Sequence, residues 1–347
     1  MKHFIVQFVT CLSLLFSSTV QAQNYQLPSY NNIYVFGDSL SDNGNLQAFN
    51  QNPALPVPER FSNGPVTVEI IAYTLGLTLT PSLHLLPIPS SGNNYAVAGA
   101  RSSDADDNEA SPDINLPTQI NAFLLRNAGA APEDALYIIF SGGNDVRDAR
   151  NLRTTAVFAE TSEQRKAIRH ASLEILDKAA LSQKTQINKL IAAGAKHILV
   201  INSADISVTP ETAILTTAAL EQANTSAQTR RAKRIPQITR NLSQKFNRKL
   251  KRNIRNIERQ TSISIIEFDL FKFFTQQIHY ADFFGFTNTV APCLFFFSQA
   301  GAINPDCIDA PTATGFLFWD EIHPTTQLHR NGALAILATI IFSHLQN

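Results

Sequence analysis

The chain is short of charge, sulfur and net electrostatic bias, and each shortage excludes something. Charged residues make up only 16% of the 347, and Lys plus Arg equals Asp plus Glu at 28 each. With no net charge there is no global attraction for nucleic acid, and no nucleic-acid partner is expected. Three cysteines, at positions 11, 293 and 307, offer neither a C-x-x-C pair nor zinc-type ligand spacing. A glycine-rich phosphate loop is absent, and so is the G-x-S-x-G esterase elbow. No metal and no cofactor are therefore expected. Beyond residue 16 no apolar run is long and uncharged enough to cross a bilayer.

What is present begins with an export signal. Lys2 gives a short positive start, an apolar stretch runs from Phe4 to Phe16, and Val20-Gln21-Ala22 offers a small-residue cleavage site before Gln23. Residues 1–22 are thus expected to be removed, a retained amphipathic anchor being the alternative. The mature protein is then secreted, either periplasmic or extracellular. Cys11 leaves with the signal, so Cys293 and Cys307 remain. An even count in an oxidising compartment predicts a disulfide that closes loop 293–307, worth about 3 kcal/mol in the chain-entropy model. The alternative is a pair of buried free thiols.

Hydrophobic residues at 44% supply a core for one large domain over residues 23–347. Five short apolar runs read as buried parallel strands: Ile33 to Phe36, Asn94 to Val97, Leu136 to Phe140, His197 to Ile201 and Ile263 to Phe268. Helical spacing is found over Pro65 to Leu75, Leu116 to Asn127, Ile168 to Ala193, Gln237 to Arg259 and Gln327 to His344. Such alternation predicts a doubly wound α/β fold, a central five-stranded parallel sheet with helices on both faces. Asn50 to Pro58, Ser102 to Pro112 and Thr209 to Pro236 are polar or proline-bearing and read as surface excursions.

In such sheets ligands gather at the carboxyl ends of the strands. Three small, polar turns follow the first three strands: Gly37-Asp38-Ser39, Ala98-Gly99-Ala100 and Ser141-Gly142-Gly143-Asn144-Asp145. Ser39 stands at a strand end, where neighbouring backbone N–H groups can stabilise an oxyanion. A serine hydroxyl needs a base, and by itself a serine in a turn is a cap. Of eight histidines, His323 alone sits in a polar constellation, Trp319-Asp320-Glu321-Ile322-His323-Pro324-Thr325. Asp320, three residues earlier, is placed to fix its tautomer. The N–H of Ser39, the N–H of Gly99 and the side-chain amide of Asn144 are the candidate oxyanion donors. Tight packing would explain Gly99, and turn chemistry Asn144.

These four segments, in this order, resemble the sequence blocks of the GDSL or SGNH hydrolases. The family's signature serine, glycine, asparagine and histidine match Ser39, Gly99, Asn144 and His323, with the acid at Asp320. Arg60-Phe61-Ser62-Asn63-Gly64-Pro65 and Asn94 to Ala100 are similar to further family segments, although Ala98 stands where many members have a second glycine. The resemblance implies a three-layer flavodoxin-like fold and ester hydrolysis through an acyl-enzyme. Gly285 to Cys293, followed by Cys307, is similar to exported bacterial members acting on phospholipids and lysophospholipids, some of which transfer the acyl group to cholesterol. Long autotransporter members add a C-terminal barrel, and none is expected so soon after His323.

Two features bear on substrate. Ten of the 23 phenylalanines lie between Phe268 and Phe297, with Phe295-Phe296-Phe297 inside the expected disulfide loop. They read either as ordinary core or as a lid or interfacial patch for acyl chains. From Arg230 to Arg259 there are twelve Lys or Arg and one Glu. That run reads as a solvated helix face, with peripheral contact to anionic membranes or a protease-sensitive loop as alternatives. A short-chain or carbohydrate esterase, or a secreted binding module with relic residues, are the competing functions.

Overall fold

The computed structural model describes residues 28–50, 57–104, 113–298, 301–307, 309 and 312–346. The expected export segment and parts of two expected excursions lie outside the described residues. The elements in chain order are β1 (Asn32–Gly37), α1 (Asn45–Phe49), α2 (Thr67–Thr74), α3 (Leu116–Arg126), β2 (Ala135–Phe140), α4 (Gly143–Thr155), α5 (Ser162–Ala192), β3 (His197–Ile201), α6 (Pro210–Glu221), α7 (Ser226–Ala232), α8 (Ile235–Thr261), β4 (Ile265–Phe268), α9 (Leu270–His279), β5 (Asn288–Pro292), β6 (Leu294–Phe295), β7 (Ala302–Ile303), β8 (Phe316–Phe318) and α10 (Thr326–Gln346).

Strands β1 to β4 form one parallel sheet in the order β1-β2-β3-β4. Alternation along each strand divides the core into two layers. Tyr34, Phe36, Tyr137, Ile139, Ile198 and Val200 face one side and pack with Phe123 of α3, Val146 of α4, Leu176 of α5 and Phe246 of α8. Ile33, Val35, Leu136, Ile138, Leu199 and Ile201 face the other and pack with Ile71 of α2 and Ile336 and Ile340 of α10. Burial on both faces is why these strands read as continuous apolar runs.

The fifth expected strand runs beside β1 without becoming regular. Tyr95 and Val97 donate to Val35 and Gly37 at 2.7 and 3.1 Å, with a parallel bridge between Val35 and Asn94. The carbonyls of Asn94 and Ala96 each accept the Asn45 amide at 2.8 Å, and beyond isolated bridges to Val35 and Pro81 the segment forms no continuous ladder. Counting this segment second, the spatial order is 2-1-3-4-5. The topological switch point then falls between β1 and β2, where this architecture places its crevice.

Thr209 to Pro236 departs from expectation. Instead of an irregular excursion it forms α6 and α7, and its helix starts are chemically explicit. Thr209 caps α6 ahead of Pro210, and Thr225 forms a reciprocal capping box with Gln228. Cys293 and Cys307 are disulfide-bonded, with Cα atoms 5.3 Å apart. The bridge staples the β6–β7 hairpin to the segment that leads into β8. Among the described residues no helix is long and apolar enough to cross a membrane.

Candidate functional site

The switch-point crevice is bounded by two turns. After β1 the chain passes through Gly37, where a Cβ would stand 2.3 Å from the Phe140 carbonyl oxygen, so only glycine lets the two strand ends approach. Gln119 of α3 holds that end in place. It donates to the Gly37 carbonyl and accepts the Gly37 N–H, both at 2.8 Å. Ser39 follows at once, 8% exposed.

The opposing wall is a tight turn between β8 and α10. Asp320 Oδ1 accepts the N–H groups of Ile322 and His323 at 2.8 and 2.7 Å, which folds the turn onto its own carboxylate. Its second oxygen then lies 2.7 Å from His323 Nδ1. A carboxylate there fixes the proton on Nδ1, leaving Nε2 as an acceptor. Nε2 is 2.7 Å from Ser39 Oγ, across 284 residues of sequence. Asp320 and His323 are 1% and 4% exposed. The structure thus brings together the three side chains singled out for chemistry, in the order carboxylate, imidazole, hydroxyl. Such a line can withdraw the hydroxyl proton as the oxygen attacks a carbon electrophile.

Of the expected oxyanion donors, Ser39 and Asn144 line the crevice, and the turn that bears Gly99 is tied to the serine turn through Asp42. Ser39 N–H makes no hydrogen bond among the described residues. Ala98 N–H is consumed by Asp42 Oδ2 at 2.8 Å, which leaves Gly99, at φ +87° and exposed, as the free amide of that turn. Asn144 donates one amide hydrogen to the Ala100 carbonyl at 2.9 Å and keeps the other, and its side chain borders the crevice.

Four buried groups of this site escaped the sequence reading. Asp42 accepts Gly44, Asn45, Leu46 and Ala98 N–H groups and so ties the serine turn to the Gly99 turn. Asp38, beside Ser39, accepts the Leu40 N–H at 3.0 Å, and burial pushes its carboxyl up to about 7. Glu321 accepts Phe297 N–H, Ser298 N–H and Ser298 O–H, clamping the disulfide loop onto the His323 turn. His329 accepts the Thr67 N–H through Nδ1 at 3.1 Å, capping α2, and burial holds its pKa down to about 3. Each of the four bonds to backbone, which sequence spacing does not reveal.

From Ser39 a mostly apolar cleft runs inward under α10. Leu328, Gly332 and Ile336 line it at successive four-residue steps, one helix face about 12 Å long. Phe140, Ile201, Phe273 and Phe274 form further walls. At its mouth the Phe61 and Phe297 rings stand 5.0 and 6.2 Å from the His323 ring, and Phe296 stacks edge-on against both phenylalanines. The phenylalanine-rich segment is therefore split. Phe268, Phe274 and Phe286 are core, whereas Phe297 is 50% and Phe283 84% exposed. Among the described residues no group of three or more His, Cys, Asp or Glu is placed to hold a metal ion.

The GDSL-like lipase/acylhydrolase family model matches residues 33–336. A phosphatidylcholine-sterol acyltransferase of Aeromonas hydrophila is 25% identical over 363 residues, covering 93% of each protein. A GDSL esterase/lipase of Arabidopsis thaliana is 25% identical over 353 residues, 94% of this chain and 92% of that one. Lipase 1 of Photorhabdus luminescens is 30% identical over 183 residues, 53% of this chain but only 24% of that longer protein. With the family model spanning the sheet, both crevice turns and the first half of α10, the chain belongs to the GDSL-like lipase/acylhydrolase family and is a serine esterase or lipase of that type.

Proposed function

We propose that this protein is an exported lipid-ester hydrolase, a phospholipase A or lysophospholipase, in which Ser39, His323 and Asp320 form an acyl-transfer triad. The observation that carries the reading is the pair of 2.7 Å contacts from Asp320 through His323 to Ser39, at the head of an apolar cleft long enough for an acyl chain. Ser39 Oγ attacks the ester carbonyl carbon while His323 Nε2 takes the hydroxyl proton. The tetrahedral oxyanion is held by the N–H groups of Ser39 and Gly99 and the free amide hydrogen of Asn144. As the intermediate collapses, His323 returns its proton to the leaving alcohol and Ser39 carries the acyl group. Water, activated by His323, then releases the acid.

Transfer to a sterol is the second reading, favoured by the Aeromonas relative, whose name gives it as a phosphatidylcholine-sterol acyltransferase. A sterol hydroxyl would replace water in the second step with no other change. Export is supported by the disulfide, because such bonds persist in oxidising compartments. In this reading residues 1–22 are the signal and residues 23–347 one catalytic domain.

The test has two arms. A fluorophosphonate probe should label the wild type and not Ser39→Ala, with kcat falling on the order of 10⁵-fold or more. Lipid product analysis should show release of fatty acid from lysophospholipid in preference to acetate from an acetylated sugar, with cholesteryl ester formed only if a sterol is accepted. A folded wild type that resists the probe would remove the enzymatic reading. Preference for the acetylated sugar would remove the lipid one.

A further inference from the structure

A second cleft lies away from Ser39 and shares no lining residue with the apolar one. It is open to solvent, has a cavity volume of about 430 Å³, and is built where the end of α4, the first turns of α5, α7 and the entry to α8 meet. Arg153, Arg165, Lys166, Arg169, Arg231 and Arg234 line it. Arg150 also lines it, but Arg150 is buried and neutralised by Glu211 at 2.5 Å. No carboxylate is among the lining residues.

Several cations elsewhere in the protein are paired with carboxylates. Arg240 meets Asp205, Lys249 meets Asp177, and Arg147 and Arg150 share Glu211. None of the six cleft cations forms an ion pair with a carboxylate among the described residues. Glu163, fully exposed on the first turn of α5, has its carboxyl held down first by the Ser162 hydroxyl and only last by Arg165. Arg153 is half-buried, and after burial itself the charges of Arg169 and Arg234 disfavour its protonated form. These guanidinium groups are therefore close enough to repel. Six like charges around one concavity make the local potential positive in a protein of zero net charge.

The chemistry of the walls says what would relieve this. Arg165 is anchored by the carbonyls of Ala159 and Glu160, and Arg231 by those of Val157 and Ala159, so two of the guanidinium forks are already oriented. The Thr154 and Ser162 hydroxyls also line it, but they donate to the Arg150 carbonyl and the Glu163 carboxylate, so the guanidinium groups and Lys166 are the donors that remain. Guanidinium forks match tetrahedral oxyanions, which accept several charge-assisted bonds at once. No aromatic ring lines the cleft, so it has no stacking platform for a nucleobase. We propose that this cleft is a binding site for a compact phosphate-bearing anion carrying at least two negative charges. The phosphate can belong to a soluble molecule or to the headgroup of an anionic lipid, and the test separates these sources.

Two probes are titrated against the full-length exported protein at low salt: inorganic pyrophosphate, by calorimetry and thermal unfolding, and vesicles of phosphatidic acid in phosphatidylcholine, by co-sedimentation against pure phosphatidylcholine. The triple variant Arg153→Ser, Arg169→Ser, Arg234→Ser removes the repelling cluster. The variant Lys251→Ser, Arg252→Ser, Arg255→Ser removes the same net charge from the exposed face of α8 and serves as control. The expected result is saturable binding at one site per chain, weakened about tenfold or more in the cleft variant and nearly unchanged in the control. The cleft variant should also melt higher than wild type at low salt without ligand, a gain that misfolding would not produce. Binding of pyrophosphate alone would make the ligand soluble, and binding of phosphatidic acid vesicles alone would make it a lipid headgroup. No binding of either probe, or equal loss in both variants, overturns the proposal.

Discussion

The carboxylate of Asp42 accepts the Ala98 N–H at 2.8 Å, and the same two oxygens cap Gly44, Asn45 and Leu46. One side chain thereby locks the turn that bears Ser39 to the turn that bears Gly99. It also selects which amide of the second turn stays free, since Ala98 is bonded and Gly99 is not. Burial raises the Asp42 pKa, yet four N–H donors oppose that rise.

Replacement of Asp42 by alanine should therefore damage stability and rate together. Four N–H groups lose their acceptor, three of them fully buried, and each such loss costs about 1–3 kcal/mol. A total destabilisation of about 3 kcal/mol or more is expected by chemical denaturation. With the Gly99 turn released, kcat should fall about 100-fold while KM for a soluble ester stays near wild type, as for loss of one oxyanion donor. A folded variant with wild-type kcat would show that the Gly99 turn holds its position without Asp42.

Asp38 predicts a pH dependence. Its folded pKa is raised to about 7 from an ordinary value near 4, chiefly by burial. Below about pH 4 the group is protonated in both states and costs nothing. As pH rises from 4 to 7 the unfolded chain gives up the proton while the fold retains it, so stability falls, and the full penalty stands above 7. Asp145, pushed up to about 6 by burial, acts in the same direction. Asp38→Asn keeps the shape and the Leu40 contact without the charge. Its melting temperature should match wild type at pH 4 and exceed it above pH 7, by a few kcal/mol in stability. A difference that does not vary with pH would refute the assignment.

The legible part of the site was its side-chain chemistry. Ser39, Asp320 and His323 each sit in a short polar stretch at the end of an apolar run, and their order was sufficient to unite them. The four regular strands were legible for the same reason, as unbroken apolar runs between turn residues. Asn94 to Val97 reads as a strand because Tyr95, Ala96 and Val97 are apolar. What the pattern could not reveal is that Asn45, nearly fifty residues away, occupies its carbonyls. The Thr209 to Pro236 segment misled through composition, since threonine, serine and proline suggest a loop unless Thr209-Pro210 and Thr225 to Gln228 are read as helix starts. The roles of Asp42, Glu321 and His329 were hidden because their partners are backbone groups, which every sequence supplies equally.

Glu321 offers a test of the disulfide loop as a lid. Its carboxylate is buried and accepts three hydrogen bonds from Phe297 and Ser298, at 2.6 to 3.2 Å. Arg147 lies 6.0 Å from the centre of the Phe297 ring. Glu321→Ala releases that segment without touching the carboxylate of Asp320. Stability should fall by about 2–3 kcal/mol, the scale of a lost cluster of charge-assisted bonds. KM for micellar lysophospholipid should rise about tenfold while hydrolysis of a soluble acetate ester changes little. Equal effects on both substrates would mean that Phe296 and Phe297 are packing, with no part in lipid contact.

Gly332 carries the acyl-chain assignment. It sits on the face of α10 that lines the cleft, one helical step from Leu328 and one from Ile336. A Cβ there would meet Thr67 Oγ1 at 3.6 Å and the Phe273 ring at 3.7 Å, ordinary contact distances. Alanine therefore fits, and as a better helix former it should stabilise the protein by about 0.5–1 kcal/mol. Leucine fits only by sending its branch into the cleft. In Gly332→Leu the ratio of kcat/KM for a long acyl ester over a butyrate ester should fall about tenfold or more, while butyrate hydrolysis and Ser39 labelling persist. Because Ser39 and His323 are not touched, a chain-length preference that stays at the wild-type value would place the acyl chain outside this cleft.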